Sequence, residues 1–364
     1  MGLILFIIIP FILLYMFWGG LYLLIKVFIL QPIDKESNIE IEPEEPLKVQ
    51  IKDGKFDSSK IVEYEGEESK SFEFRPQTWE QFIAQDNAKE QAQTIMKKAR
   101  KGIRSHFILS AIKGHGKTTF VELLAKDMGA KLITRVGKQI DEEELLKIVN
   151  EINTSHEEHV VFFIDEIDSM DWKVIKVLNP IIEQFKISGV KIKPFIFASA
   201  TINKHILIKN NPDTLDRIPH HLQFIRYTAE DISKIVNQCR KQLYPNEEVP
   251  LEVIKTISES SKFNPRTSLS LLDDYIVIRD IDKALKDRYI LKNGLTNFDI
   301  KILEVLNNAV RPMGANAVAL RAGLSQNQYL TEYEPFLFEF EYINRIPSRI
   351  IGEKGREILK EIKL

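Results

Sequence analysis

Cysteine is nearly absent: Cys239 stands alone in 364 residues. One thiol can build neither a disulfide framework nor a cysteine metal cluster. The seven histidines are not spaced as metal ligands either, and the adjacent His220-His221 is expected to end a turn. Charge of one sign is also lacking in bulk, with 50 Lys and Arg against 52 Asp and Glu. The marks of a cleaved signal peptide are missing as well: there is no basic start, no short apolar core and no small-residue cleavage site.

Two stretches carry chemistry. The first is Ala111-Ile-Lys-Gly-His-Gly-Lys-Thr-Thr119. Gly114 and Gly116 let backbone N–H groups turn inward around phosphate oxygens, with His115 and Thr119 completing the loop. Lys117 is placed to reach the β- and γ-phosphates of ATP, and the Thr118 hydroxyl to ligate Mg²⁺. Ala111 stands where the usual pattern has its first Gly, which a methyl group tolerates if φ stays negative. The second stretch is Val160-Val-Phe-Phe-Ile-Asp-Glu-Ile-Asp168, a buried strand ending in acids. There Asp165 is expected in the Mg²⁺ shell, and Glu166 to orient the attacking water. Together, in this order, the two predict an ATP-hydrolysing site.

The chain opens on an apolar run without a charged residue, Leu3 to Ile25. At about 1.5 Å per residue, such a helix crosses a hydrocarbon core of about 30 Å. Tyr15, Phe17, Trp18 and Tyr22 gather near its end, where rings favour the interface, and Lys26 can snorkel. Residues 1–30 are therefore expected to be an uncleaved single-pass membrane anchor, with the ATP-using remainder in the cytosol. Residues 34–73 carry thirteen Asp and Glu against six Lys, a net −7, while the whole chain is −2. Segment 31–74 is expected to be an acidic tether, with a small hairpin possible at Leu47–Ile51 and Lys60–Tyr64. An ordinary solvated linker is the alternative.

After Phe74 strands and helices alternate. A helix-rich stretch (Thr78–Arg100) leads to the strand Phe107–Ser110, the phosphate loop and a helix from Thr118 to Met128. Strand Lys131–Arg135, helix Asp141–Asn153, the acid-ended strand, a helix around Trp172–Phe185 and strand Pro194–Ser199 follow. This alternation predicts a parallel sheet covered on both faces.

The order Phe74-Arg-Pro, Phe82-Ile-Ala-Gln85, His106-Phe-Ile-Leu109, the phosphate loop and Ile164-Asp-Glu-Ile167 resembles the AAA+ ATPases. Asn264-Pro-Arg266, Glu334-Pro-Phe-Leu337 and Ile343-Asn-Arg-Ile-Pro347 narrow the likeness to the RuvB family of Holliday-junction branch-migration motors. The resemblance runs from Arg75 to about Ile350. It implies an α/β AAA+ P-loop domain over 75–225, a helical lid over 226–294 and a winged helix over 295–364. It also implies that Arg266 touches the γ-phosphate, that Thr201 or Asn203 is the polar sensor, and that Arg217 is an arginine finger. A finger acts on a neighbour's nucleotide, so the resemblance implies a ring of identical copies, hexameric in the family. A lid-packing ion pair for Arg266 and a surface cation for Arg217 are the structural alternatives. The family docks a RuvA partner on a long hairpin between the post-carboxylate helix and the sensor strand. Here only Lys186–Lys193 fills that interval, enough for a tight turn at Ser188-Gly189, so the docking device is expected to be missing and a RuvA-type partner is not carried over.

At the C-terminus Phe298, Ile302, Leu303, Val305 and Leu306 fall near helical spacing. Ala315–Ala322 and Gln326–Phe340 supply two further helices, split by Gly323, and Ile350 through Gly355 are expected to form the wing. Phe336, Phe338 and Phe340 are expected in the core. The recognition helix carries Glu332, Glu334, Glu339 and Glu341, which phosphate repels, so major-groove reading is not expected. The cations Arg345, Arg349, Lys354 and Arg356 around the wing suit sequence-independent gripping of the backbone of branched or duplex DNA. Two functions stay open on the sequence: a membrane-anchored DNA motor acting in recombination, repair or replication, and a membrane-tethered AAA+ protein remodeller whose winged helix binds protein.

Overall fold

The computed structural model describes residues 74–202, 212–291, 293–345 and 348–363. The anchor and tether expected over 1–74, with their hairpin, lie outside these apart from Phe74. Among the described residues no helix is long and apolar enough to cross a membrane.

Five strands build one parallel sheet: β1 (Phe107–Ser110), β2 (Lys131–Val136), β3 (Val160–Asp165), β6 (Ile196–Thr201) and β7 (His220–Gln223), in the order β2-β3-β6-β1-β7. Every pairing in it is parallel. Strand side chains alternate between faces, so the central strands, buried on both, are apolar at most positions. Val161 and Phe163 pack with Phe107, Leu109, Phe120 and Leu124 on one face. Phe162 and Ile164 pack with Ile108, Leu145, Ile175 and Leu178 on the other. Helices α1 (Asp86–Arg100) and α2 (Lys117–Met128) cover the first face; α3 (Glu142–Asn153) and α4 (Trp172–Gln184) cover the second. Thr78–Ala84, expected within a helical stretch, is instead a run of turns before α1.

The interval Lys186–Lys193 holds a hairpin. β4 (Lys186–Ile187) pairs antiparallel with β5 (Val190–Lys191) around Ser188 and Gly189, which have φ of 45° and 82°. Two successive left-handed residues match the twist of a hairpin and close it tightly. What fills the interval, where a tight turn is expected in place of the long hairpin, is a hairpin of two residues to a strand.

After α5 (Pro212–Asp216) and β7 come four helices with a core of their own: α6 (Ala229–Leu243), α7 (Leu251–Ser260), α8 (Pro265–Ile278) and α9 (Ile281–Asp287). Thr228 and Asp231 close a reciprocal capping box at the start of α6. Asn264 caps α8, with Pro265 in its first turn.

A last core joins α10 (Asn297–Asn307), α11 (Ala315–Ala322), α13 (Glu334–Glu339) and α14 (Glu353–Lys363). Between α12 (Gln326–Gln328) and α13 lies one π-helical turn, Tyr329–Tyr333, just before Pro335. Proline has no N–H to donate to the ladder, and a widened turn accommodates the loss. The wing is not Ile350–Gly355 as expected. It is the hairpin of β8 (Ile343–Arg345) and β9 (Arg349–Ile351), and Gly355 lies in α14. Gly352 ends the hairpin against the backbone: a Cβ there would stand 2.2 Å from the Glu341 carbonyl oxygen.

Candidate active site

The phosphate loop leaves the buried end of β1 and enters α2. Gly114 and Gly116 both take φ of 85°, a conformation costly for any side chain. Ala111 is not among the positive-φ residues, so its methyl group is tolerated. The first turn of α2 has no acid to compete for an anion at its N-terminal dipole. Lys117 is buried, and Nζ donates to the carbonyls of Ala111 (2.9 Å) and Ile112 (3.3 Å). Burial lowers its pKa, against the opposing pull of Asp165, Asp168 and Glu166. An ammonium held this way gains by meeting an anion.

At the end of β3, Thr118 Oγ1 lies 3.5 Å from Asp165 Oδ2. The other Asp165 oxygen accepts the Glu166 N–H at 2.9 Å. A hydroxyl beside a carboxylate is the hard-oxygen set that fits Mg²⁺, which takes few protein ligands and fills its shell with water and phosphate. No group of three or more His, Cys, Asp or Glu that could hold a metal ion by itself occurs among the described residues. Glu166 holds φ of 52°, and its carbonyl is closely approached by Gly137, where a Cβ would stand 2.5 Å away. Thr201, fully buried at the end of β6, donates to Asp168 Oδ1 at 2.6 Å. Asn203, the other sensor candidate, lies outside the described residues.

The start of α8 also reaches the loop. Asn264 Nδ2 donates to the Lys113 carbonyl at 2.8 Å, while its Oδ1 accepts the Arg266 N–H at 3.0 Å. Arg266 and Lys117 both line a cavity of about 710 Å³ whose far wall is apolar, with Phe74, Ile83, Ile235 and Leu269. Cys239 lines it too, and burial pushes its thiol up to about 12. His115 is buried beneath Tyr227, with ring centroids 5.3 Å apart and neither imidazole nitrogen bonded. Burial pushes that imidazole down to about 4, with help from the charges of Arg226 and Lys117. Sequence reasoning missed Gly137, Tyr227 and Arg226, and named Gln85 only as the end of the motif Phe82-Ile-Ala-Gln85 without a role. The Gln85 amide clamps Ile225 from both sides, donating to its carbonyl (2.8 Å) and accepting its N–H (2.9 Å). No local pattern marks the other three.

The remaining candidates lie away from the cavity. Arg217 pairs with Glu183 at 2.9 Å and also donates to the Asp213 carbonyl. Arg345 is half exposed, 3.8 Å from Glu334. Lys354 sits over the Tyr342 ring at 5.2 Å, and Arg356 is exposed. Arg349 differs: its guanidinium is tied to the buried Glu334 and is only 16% exposed. The structure brings the phosphate-loop and carboxylate residues together with Asn264 and Arg266, and of the wing cations it sets Arg345 opposite Arg349 across the hairpin, both beside Glu334.

Two family models match the chain: the Holliday junction DNA helicase RuvB P-loop domain over residues 74–204, and the RuvB C-terminal winged helix domain over 292–360. The Holliday junction branch migration complex subunit RuvB of Mycoplasma genitalium is 29% identical over 306 residues, covering 78% of this chain and 97% of that protein. Its Thermotoga maritima counterpart is 27% identical over 318 residues, covering 79% and 92%. The solved Thermotoga maritima RuvB branch migration motor superposes with a TM-score of 0.69 at 26% identity, covering 79% of this chain and 98% of that one. These relatives are matched nearly end to end by about four fifths of this chain, and the family match begins at residue 74. The single-pass membrane placement through residues 3–25, with the ATPase facing the cytosol, is therefore corrected. No described helix is long and apolar enough to span, the segment itself lies outside the described residues, and the shared architecture starts after it. A P-loop match and a winged-helix match follow one another in one chain that carries this phosphate site, and the chain is an ATPase similar to RuvB over both segments.

Proposed function

We propose that the chain is an ATP-driven DNA motor that moves branched or duplex DNA, as its relatives are named for doing at Holliday junctions, in recombination, repair or replication. The observation that supports this most is the winged-helix match behind the P-loop match on one chain. Many ATPases share the first; the second is the element that would hold nucleic acid. The division of labour follows 75–225 for nucleotide, 226–294 for the lid and 295–364 for DNA.

In this reading the N–H groups from Gly114 to Thr119 hold the phosphates of ATP, and Lys117 exchanges its two carbonyl partners for phosphate oxygens. Thr118 and Asp165 would hold Mg²⁺, which would supply charge neutralisation at the phosphates. Glu166 orients water, Thr201 senses through Asp168, and Arg266 approaches the phosphates from the lid. Arg217 acts on the nucleotide of a neighbouring copy, which requires a ring, hexameric by family resemblance. Arg345, Lys354 and Arg356 contact the DNA backbone, while Arg349 keeps the wing in shape.

The test is a salt titration of full-chain binding to duplex and four-way-junction DNA, with ATP-dependent junction movement as a second readout. Phosphate neutralisation predicts a steep fall of log K with log[salt]. No binding at low salt would overturn the DNA reading and leave an ATPase that remodels protein, a reading the comparisons do not support.

A further inference from the structure

The turn between α7 and α8 touches the phosphate loop with one end and the winged helix with the other. Asn264 donates to Lys113 at 2.8 Å, and its Oδ1 comes so near that a Cβ on Gly114 would stand 2.5 Å away. Two residues earlier, Lys262 Nζ donates at 2.5 Å to Asp299 in the first turn of α10, a carboxylate with no exposed surface. The same ammonium lies 5.1 Å from the centroid of Phe336. Between them, Phe263 stacks on Phe340 at 5.3 Å with the planes 25° apart. Beside the turn, Arg226 pairs with Glu339 at 2.8 Å and donates to the Lys262 carbonyl at 3.3 Å.

The backbone of this turn is unusual. Lys262 and Phe263 take φ of 54° and 56°, two consecutive left-handed residues, neither of them glycine. Such a conformation persists only where the surroundings over-determine it. Here they do: the carboxylate of Asp299 and the ring of Phe340 grip it from the winged helix, and the cap of α8 grips it from the lid. A turn held from both sides has little freedom to absorb a displacement.

We propose that Lys262 and Phe263 are positioning residues that make the winged helix follow the nucleotide. A phosphate entering at Lys113 and Gly114 shifts the carbonyl that Asn264 holds. The rigid turn passes that shift to α10 through Lys262 and to α13 through Phe263. By linkage, a load on the winged helix alters nucleotide affinity by the same factor. The proposal rests on the ATPase site and needs no DNA, so it stands or falls separately from the DNA reading.

The test is amide hydrogen exchange on the full chain with ADP and with a non-hydrolysable ATP analogue. In the wild type, α10 and residues 334–342 should exchange differently in the two states. Lys262→Met should lose that difference while the phosphate loop and α2 still respond, and Lys262→Arg should keep it. Lys262→Met also strips a buried carboxylate of its counter-charge and can unfold the winged helix. Phe263→Gly avoids this: glycine takes φ near 56° without strain and lacks only the ring. It too should diminish the winged-helix difference. A wild type with no difference, or a Phe263→Gly protein whose difference equals the wild type's, would overturn the proposal.

Discussion

Arg349 grips Glu334 with two hydrogen bonds, Nε to Oε1 at 2.5 Å and a terminal nitrogen to Oε2 at 3.2 Å, across the base of the wing. The Tyr329 hydroxyl completes the arrangement, donating to Oε1 at 3.1 Å. Glu334 is 3% exposed and Arg349 16%, so this pair belongs to the interior. A cation that reads from sequence as part of a DNA grip is the counter-charge that allows a carboxylate to be buried.

Arg349→Ala should therefore cost stability before it costs anything else. Its removal leaves the buried Glu334 with only the Tyr329 hydroxyl and the more distant Arg345, a loss of up to about 3–5 kcal/mol. Thermal unfolding of the winged helix should begin at a clearly lower temperature, and DNA binding should be lost with it. Arg345→Ala, at a half-exposed site, should fold normally and make the salt slope of DNA binding shallower by about 1. An Arg349→Ala protein with unchanged unfolding and a shallower slope would reverse these assignments.

Three substitutions separate binding from turnover at the nucleotide. Lys117→Ala removes the buried ammonium and should abolish productive ATP binding. Glu166→Gln should bind ATP as the wild type does and stop hydrolysing it, because only the group orienting water is changed. Gly137→Ala should resemble the second, since its methyl group would press on the Glu166 carbonyl from 2.5 Å. Equilibrium binding of a fluorescent ATP analogue beside a phosphate-release assay distinguishes the outcomes. Normal turnover in Glu166→Gln would show that another group positions the water.

Much of this is legible in the sequence where the physics is local. The strand Val160–Asp165 reads as buried because all its residues are apolar up to the acid, and the phosphate loop reads from its glycines and lysine. What escapes are pairings between distant positions. Gln85 meets Ile225 across 140 positions, and Asn264 meets Lys113 across 151. No window of sequence holds both partners. The wing was misplaced for a different reason: strands of three residues, such as β8 and β9, are too short to show a period. Charge is legible in the sequence but its partner is not, and so Arg349 reads there as one of the cations that grip the DNA backbone.

Arg217 makes its contacts within its own chain, with Glu183 and the Asp213 carbonyl, and does not line the cavity that holds Lys117. A finger acting on a neighbour's nucleotide would look like this in a single copy. Arg217→Ala should bind ATP normally and poison mixed assemblies. When mutant is titrated into wild type at constant total protein, hydrolysis should fall faster than dilution alone predicts. A strictly linear decline would mean that each copy works by itself and that Arg217 serves only its ion pair.

The last expectation concerns acid. His106 is buried between the sheet and α4; its Nδ1 accepts the Phe197 N–H at 2.9 Å, and its Nε2–H donates to the Ile182 carbonyl at 2.7 Å. Both ring nitrogens are thus committed, and only the neutral imidazole satisfies both bonds. Burial pushes its pKa down from 6.5 to about 4. The unfolded chain therefore binds more protons than the folded one between those values, and stability must fall as pH falls through that window. The contribution is complete above pH 6.5 and lost by about pH 4, with a slope near 1.4 kcal/mol per pH unit within the window. His106→Asn can still accept from Phe197 but does not titrate. It should be less stable at neutral pH, yet its stability should fall less steeply from pH 6.5 to 4. Urea unfolding at half-unit steps of pH measures both slopes. Parallel curves for the two proteins would mean that His106 does not carry the acid sensitivity, and would leave His115, also pushed to about 4, as the group to substitute next.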